Sequence, residues 1–200
     1  MAGSMNIKKR FDGYLPIVVD IETSGVDVNK NAILEIAAVS VDFNDSGLLV
    51  PQEDFACHVT PFEGARLDEK ALQVTGIDPF HPFRFDVPES DALTQLFEFV
   101  SKAIKATGCR RAVLVGHNAH FDLSFILMAA KRCKISQLPF HAFTVFDTAT
   151  LSGLAFGKTV LAKALRAARL GFNEKEAHSA IYDAKQTAAL FCLIINEFSK

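Results

Sequence analysis

Apolar runs at residues 17–21, 33–41 and 55–59 are separated by Gly25, by Asn44-Asp45-Ser46-Gly47 and by Pro51. This pattern predicts three consecutive strands that pair as antiparallel neighbours. The chain then changes period. Residues 68–74 predict a short helix stopped at Gly76, and residues 89–107 place Leu93, Leu96, Phe97, Val100 and Ile104 at helical spacing, which gives that helix one buried stripe. Residues 112–115 predict a fourth strand, 121–133 a helix and 144–146 a fifth strand. Helical patterns follow at 148–155, 160–169 and 179–198. The order β-β-β-α-β-α-β-α predicts an α/β domain around a central mixed sheet, and no internal repeat or long linker divides it. One domain over residues 6–200 is expected. Residues 1–5, Met-Ala-Gly-Ser-Met, carry a second possible initiator in Met5 and are set aside as a disordered or foreign start.

The first strand carries an anomaly. Asp20 and Glu22 close the apolar run Ile17-Val18-Val19. Side chains alternate along a strand, so residues two apart share a side and lie roughly 7 Å apart at the backbone. An acidic pair on a buried strand costs desolvation and mutual repulsion unless a cation neutralises it. Taken alone, Asp-x-Glu fits a strand end emerging into water better than a metal site.

Composition limits what such a site belongs to. The chain has 200 residues, 50% hydrophobic and 22% charged, which suits a folded domain with a substantial core and excludes a disordered one. No apolar stretch is long enough to span a membrane, and the first residues lack the apolar segment of a secretory signal, so a soluble cytoplasmic protein is expected. Cys57, Cys109, Cys133 and Cys192 are scattered with no Cys-x-x-Cys, and they read as reduced core thiols rather than zinc ligands or a disulfide framework. The formal net charge of -2 argues against indiscriminate coating of nucleic acid. Short basic clusters such as Lys8-Lys9-Arg10 and Arg110-Arg111 read as solvated surface.

Further carboxylates fall at strand-to-helix junctions. Asp122 follows the fourth strand through Gly116-His117-Asn118-Ala119-His120, where a helix start favours negative charge and where ligand sites of open α/β sheets cluster. A carboxylate serving only the helix dipole fits that position equally well. Asp183 lies in the first turns of the last helix, five residues after His178. Five helical residues turn through about 140° net, so the two side chains cannot share a helix face. His178 is therefore expected before the helix. Asp147 reads as an N-cap, and Glu35 and Thr23 as supports for the acidic pair.

Together, Asp20-x-Glu22, then Asp122 in His-Asn-Ala-His-Phe-Asp, then His178-x4-Asp183 resemble the signature of the DEDDh 3'-to-5' exonuclease family. Phe11-x-Gly13-Tyr14-x-Pro16, Pro139-Phe140-His141-x-Phe143, Phe146-Asp147-Thr148-Ala149 and Ala177-His178-Ser179-Ala180 resemble one ribonuclease branch of it, over about residues 10–198. The resemblance implies a ribonuclease H-like fold with a five-stranded mixed sheet flanked by helices. It also implies two divalent ions held by Asp20, Glu22, Asp122 and Asp183; hard oxygen ligands suit two Mg²⁺, with Mn²⁺ as the alternative. His178 is then the expected general base, since a neutral imidazole at physiological pH is the form a base requires.

The family stacks terminal bases on aromatic rings, and Phe121 and Phe143 match those positions. Val26 and Val74 stand where further phenylalanines are expected, so the terminal-base preference is expected to differ. The family also works as a homodimer in which a basic patch on one subunit holds RNA entering the partner's site. Arg10, Lys105 and Arg111 match that patch, and Asp12 departs from it. The implied activity is trimming of the 3' ends of tRNA and other stable RNA precursors, with release of nucleoside 5'-monophosphates. A DNA-directed exonuclease or proofreading subunit shares the same five residues and so could act on single-stranded DNA. A non-catalytic nucleic-acid-binding module would be expected to lack one of the carboxylates.

Overall fold

The strand that carries Asp20 and Glu22 is central because its side chains leave it no other place: Leu15 to Val19 are all buried. In the computed structural model, which describes residues 6–198, this strand is β1 (Tyr14–Thr23). It is joined by β2 (Ile33–Phe43), β3 (Leu49–His58), β4 (Arg111–Gly116) and β5 (Phe140–Asp147) in the sheet order β3-β2-β1-β4-β5. The β1–β2 and β2–β3 pairs are antiparallel, whereas β1–β4 and β4–β5 are parallel. The five-stranded mixed sheet flanked by helices is thus the expected one.

The parallel half fixes the site. Tyr14 pairs with Arg111 and Val18 with Val115, so the carboxyl ends of β1 and β4 emerge side by side. Such edges are where open α/β sheets bind ligands. β1 tolerates Pro16 because the β2 ladder begins only at Ile17, and no bond to β2 is lost there.

Helices cover the sheet. α3 (Glu89–Thr107) buries Ala92, Leu93, Leu96, Phe97 and Val100, the stripe its spacing predicted, and ends on Gly108 in the left-handed conformation. It packs against α4 (His120–Arg132) and the sheet. Glu89 and Arg132 tie these two helices through a two-pronged ion pair with contacts of 2.8 and 2.6 Å. α7 (Ala180–Glu197) lies along β1, β2 and β3, with small Ala180, Ala184 and Ala188 permitting close approach near its start. The rings of Phe11, Phe146 and Phe191 meet at centroid distances of 5.5 to 6.3 Å, joining the start of the chain, β5 and α7 in one core. α5 (Thr148–Phe156) and α6 (Leu161–Ala167) pack beside α7, and α2 (Glu69–Thr75) stops at Gly76.

Beyond shifts of up to three residues at other ends, two strand starts and one short helix differ from the sequence pattern. β3 begins at Leu49 and passes through Pro51, which was expected to end a segment; as an edge strand β3 can spare an N–H. β5 begins at Phe140, four residues early. A four-residue α1 (Ile7–Arg10) has no periodicity to announce it and rests on Asn6, whose side chain accepts from the Lys8 and Lys9 N–H groups. Residues 1–5 lie outside the described residues. All four cysteines are free, with Cys109 and Cys192 buried. Among the described residues, no helix is long and apolar enough to cross a membrane.

Phe191 is fully buried in the joint between Phe11 and Phe146. Phe191→Ala is expected to cost about 3–5 kcal/mol of stability, read as a lower midpoint in urea unfolding.

Candidate active site

Each acidic side chain reaches the carboxyl edge of the sheet by a different route. Asp20 and Glu22 alternate to one side of β1. Asp122 sits in the first turn of α4, buried to 5% exposure, and its Oδ1 accepts the N–H of Ile21 at 3.1 Å, which fastens it to β1 between the other two. Gly116 makes that approach possible: a Cβ there would stand 3.0 Å from Ala119 Cα and 3.2 Å from Asp122 Oδ2. Asp183 comes from the first turn of α7.

His178 occupies the turn before α7, as the rotation argument required, with an exposed side chain and a left-handed backbone at φ +67°. Its N–H donates to Asp183 Oδ2 at 2.9 Å, so one turn orients both residues. One ligand atom from each of Glu22, His178 and Asp183 falls within 4.8 Å of the others.

Electrostatics ties Asp20 and Asp122 to the same cluster. Burial, then the charges of Asp122, Asp183, Glu22 and Glu35, raise Asp20 well above the ordinary carboxylate range. Glu22 is pushed up to about 8 by burial and then by Asp183 and Glu35. Asp122 is also pushed up to about 8, chiefly by burial, against the lowering effect of backbone hydrogen bonds. Asp183 is raised by burial while the contacts from His178 pull it down. Oxygen ligands that resist ionisation because they are buried and crowded without a counter-charge fit a divalent cation, and the site suits divalent-metal dependence.

A supporting row crosses the sheet behind this cluster. Glu35 lies opposite Glu22 on β2, and His58 lies opposite Glu35 on β3. Glu35 accepts the N–H of Ala180 at 3.2 Å and meets His58 Nδ1 at 3.2 Å, so it holds the start of α7 to β2. Asp147 caps α5 by accepting from Ala149 at 2.8 Å, and it also accepts the N–H of Asn118. His117 is engaged with Thr148 Oγ1 and the Thr159 carbonyl.

Beside Glu22 runs a groove of about 860 Å³ whose lining includes Val26, Lys70, Val74 and Phe121. Phe143 does not line it. That ring stands on β5, 83% exposed, nearest His141 among ring neighbours. Arg10, Lys105 and Arg111 lie at the other end of the sheet: Arg111 opens β4 opposite Tyr14, six residues and roughly 20 Å before Asp20 on β1. Arg111 Nε donates to the Phe140 carbonyl at 2.9 Å, and Asp12 pairs with Arg110 at 3.5 Å. The loop 76–88 also exposes Phe80, Phe83 and Phe85, which no periodicity signals because they fall outside any regular element. The alternation Phe-His-Pro-Phe-Arg-Phe over 80–85 is the only trace of them in the sequence.

Residues 17–191 match the family model described as exonuclease. The ribonuclease T of Vibrio cholerae serotype O1 is 52% identical over 98% of this chain and 88% of its own length. That of Hahella chejuensis is 50% identical over 97% and 89%, and that of Yersinia pseudotuberculosis is 52% identical over 96% and 89%. Among solved structures, Escherichia coli exonuclease I in complex with a dT13 oligonucleotide superposes with a TM-score of 0.68 at 16% identity, covering 90% of this chain and 41% of that one. A full-length 3'-exonuclease gives 0.70 at 17% identity, covering 92% and 62%. At such identities the likeness is one of fold, and this chain spans about two fifths of exonuclease I. With half its residues shared over nearly its whole length, the chain belongs to the ribonuclease T family of exonucleases.

Proposed function

We propose that this 3'-to-5' exoribonuclease trims the 3' ends of tRNA and other stable RNA precursors in the cytoplasm, releasing nucleoside 5'-monophosphates. The observation that supports the mechanism is the cluster of four carboxylates, all raised in pKa chiefly by burial, with neighbouring carboxylates adding to it at Asp20, Glu22 and Asp122. Asp20, Glu22, Asp122 and Asp183 would hold two Mg²⁺, or Mn²⁺. When bound, the ions supply stabilisation of negative charge on the attacking and leaving oxygens of an in-line displacement. His178 takes the proton of the attacking water, whose oxygen bonds to the scissile phosphorus as the bond from phosphorus to the 3' oxygen breaks. The freed 3' oxygen gains a proton and becomes the new RNA end.

Glu35 keeps α7, and with it Asp183 and His178, against β2. The terminal nucleotide takes the groove at Glu22, where Phe121 offers a ring for stacking. Val26 and Val74 line the same groove without rings, which loosens its preference among terminal bases. Phe143 would meet a base outside that groove.

The position of the basic residues favours a homodimer. Arg10, Lys105 and Arg111 stand at the opposite end of the sheet from their own carboxylates, so a strand threading one site reaches the patch most readily on a second subunit. Positive charge from another chain also offsets the acidic pocket when a polyanion enters.

Four outcomes test this reading in part or whole. A tRNA with an extended 3' end, incubated with Mg²⁺ and sized at nucleotide resolution, is expected to shorten stepwise and halt near the duplex; internal cuts would overturn the assignment, and matched DNA oligonucleotides measure the competing DNA reading. In the same assay His178→Asn, which suits the left-handed backbone, is expected to lose at least about a hundredfold in turnover while Mg²⁺ still raises its melting temperature. The acidities set a pH dependence. Glu22 and Asp122 ionise near 8 in the metal-free fold, above the unfolded value of about 4, so the folded state binds more protons. Their protonated forms lend stability that is fully present below about pH 4 and is lost as pH rises through 8. The metal needs the ionised forms, so the Mg²⁺-induced rise in melting temperature is expected to be larger at pH 8 than at pH 6; equal rises would count against the cluster. Finally, Lys105→Ala with Arg111→Ala is expected to raise KM for tRNA and flatten its salt dependence, and unchanged binding would place the patch elsewhere.

A further inference from the structure

We propose that Phe80, Phe83 and Phe85 form a stacking surface for unpaired substrate bases lying 5' of the scissile bond; the proposal rests on the exoribonuclease reading above. The three rings are 76%, 73% and 84% exposed within six residues of chain. Single exposed apolar side chains are ordinary, but three large exposed rings within six residues of chain are not.

The loop that carries them is held rigidly. Asp78 accepts the N–H of Phe80 at 3.0 Å, and His81 Nδ1 accepts that of Phe83 at 3.3 Å, with the His81 and Phe83 rings 5.9 Å apart. Arg84 anchors the far side: its guanidinium is buried, donates to the carbonyls of Val59 at 3.2 Å and of Leu34, and meets Asp86 at 3.6 Å. Phe85 adopts φ +52°, a region costly for a bulky side chain, and its exposed ring gains little packing in return. Burial of Arg84 turns its chain neighbours Phe83 and Phe85 outward.

Location selects the occupant. Phe83, alone of the three rings, lines with Arg84 a cavity of about 680 Å³ whose other wall includes Lys175, His178 and Lys185, and Phe80 and Phe85 flank it in the same loop. His178 belongs to the cluster with Glu22 and Asp183, so the space that Phe83 faces reaches that cluster at His178. The acidic lining residues are Glu35, Asp78 and Glu176. Glu35 is engaged by α7 and His58, and Asp78 by its own loop. A 3' end has no nucleotide beyond it, and the terminal nucleotide has its own groove at Val26, Val74 and Phe121. Bases that reach the loop are therefore 5' of the scissile bond. Phenyl faces accept any base, and on the opposite wall the ammonium group of Lys175, with that of Lys185 shared with Asp54 at 2.7 Å, suits the phosphates between them.

The test compares a single-stranded RNA of about ten nucleotides with a dinucleotide, using the unaltered protein, the triple variant Phe80→Ala/Phe83→Ala/Phe85→Ala and the matching triple leucine variant, with melting curves confirming their folds. Stacking contacts of ordinary strength predict that the alanine variant raises KM for the longer RNA about tenfold or more, with dinucleotide turnover changed less than about twofold. The leucine variant, apolar but without flat rings, is expected to lose as much. An unchanged KM for the longer RNA overturns the proposal. So does recovery by leucine, which would assign an apolar docking face for a protein, or a dimer-to-monomer shift in sedimentation, which would assign the face to contact between copies. If the unaltered protein hydrolyses neither RNA, the exoribonuclease reading falls and this proposal with it.

Discussion

Burial of carboxylates, sharpened by the repulsion among them, is the constraint around which this molecule is arranged. Asp20 and Glu22 come from a strand buried along Leu15 to Val19, and Asp122 is fixed to that strand by the Ile21 N–H. Asp183 is oriented by the N–H of His178. None of these placements lowers the energy of an empty pocket. They persist because the surrounding structure over-determines them: parallel β1–β4 pairing, the close turn at Gly116, and Glu35 holding α7. Strain concentrated at one edge of a sheet and offset by packing elsewhere is common at functional sites. A divalent cation held by these carboxylates would relieve it.

Much of the fold could be read from the chain because the signals were local. The apolar run ending at Asp20, the stripe of α3 and the turn at Gly76 depend on neighbours a few residues away. The place of His178 also followed from local geometry, since five residues of helix cannot bring it over Asp183. Information that belongs to the whole fold was not legible. Pro51 breaks a central strand but suits an edge, and which strand is the edge is decided by pairing. The matched ring Phe143 does not line the groove beside Glu22, whereas Phe121 does. Phe80, Phe83 and Phe85 resemble core residues in composition, and only tertiary packing leaves them outside.

The sheet also separates two kinds of chemistry along its strands. The carboxyl ends of β1 and β4 carry the negative cluster, and their amino ends adjoin Arg10, Lys105 and Arg111. Opposite charges kept apart in this way do not neutralise one another within the chain. A net charge of -2 therefore conceals a strongly polar molecule, suited to aligning a polyanion.

The β2–β3 ladder links distant parts of the chain more tightly than their contacts suggest. Glu22, Glu35 and His58 form one row across three strands, and the same ladder contains an extra residue on β3 opposite Ser40, whose hydroxyl bonds both the N–H and the carbonyl of Glu53. Side chains change face with every residue, so deleting the bulged residue would shift the register of one end of the ladder against the other. Either the Asn44 hairpin or the pairing of His58 with Glu35 would have to give way. The length of an edge strand thus acts as a ruler for the row that supports Glu22 and the start of α7, and small insertions or deletions there should be far less tolerated than point substitutions.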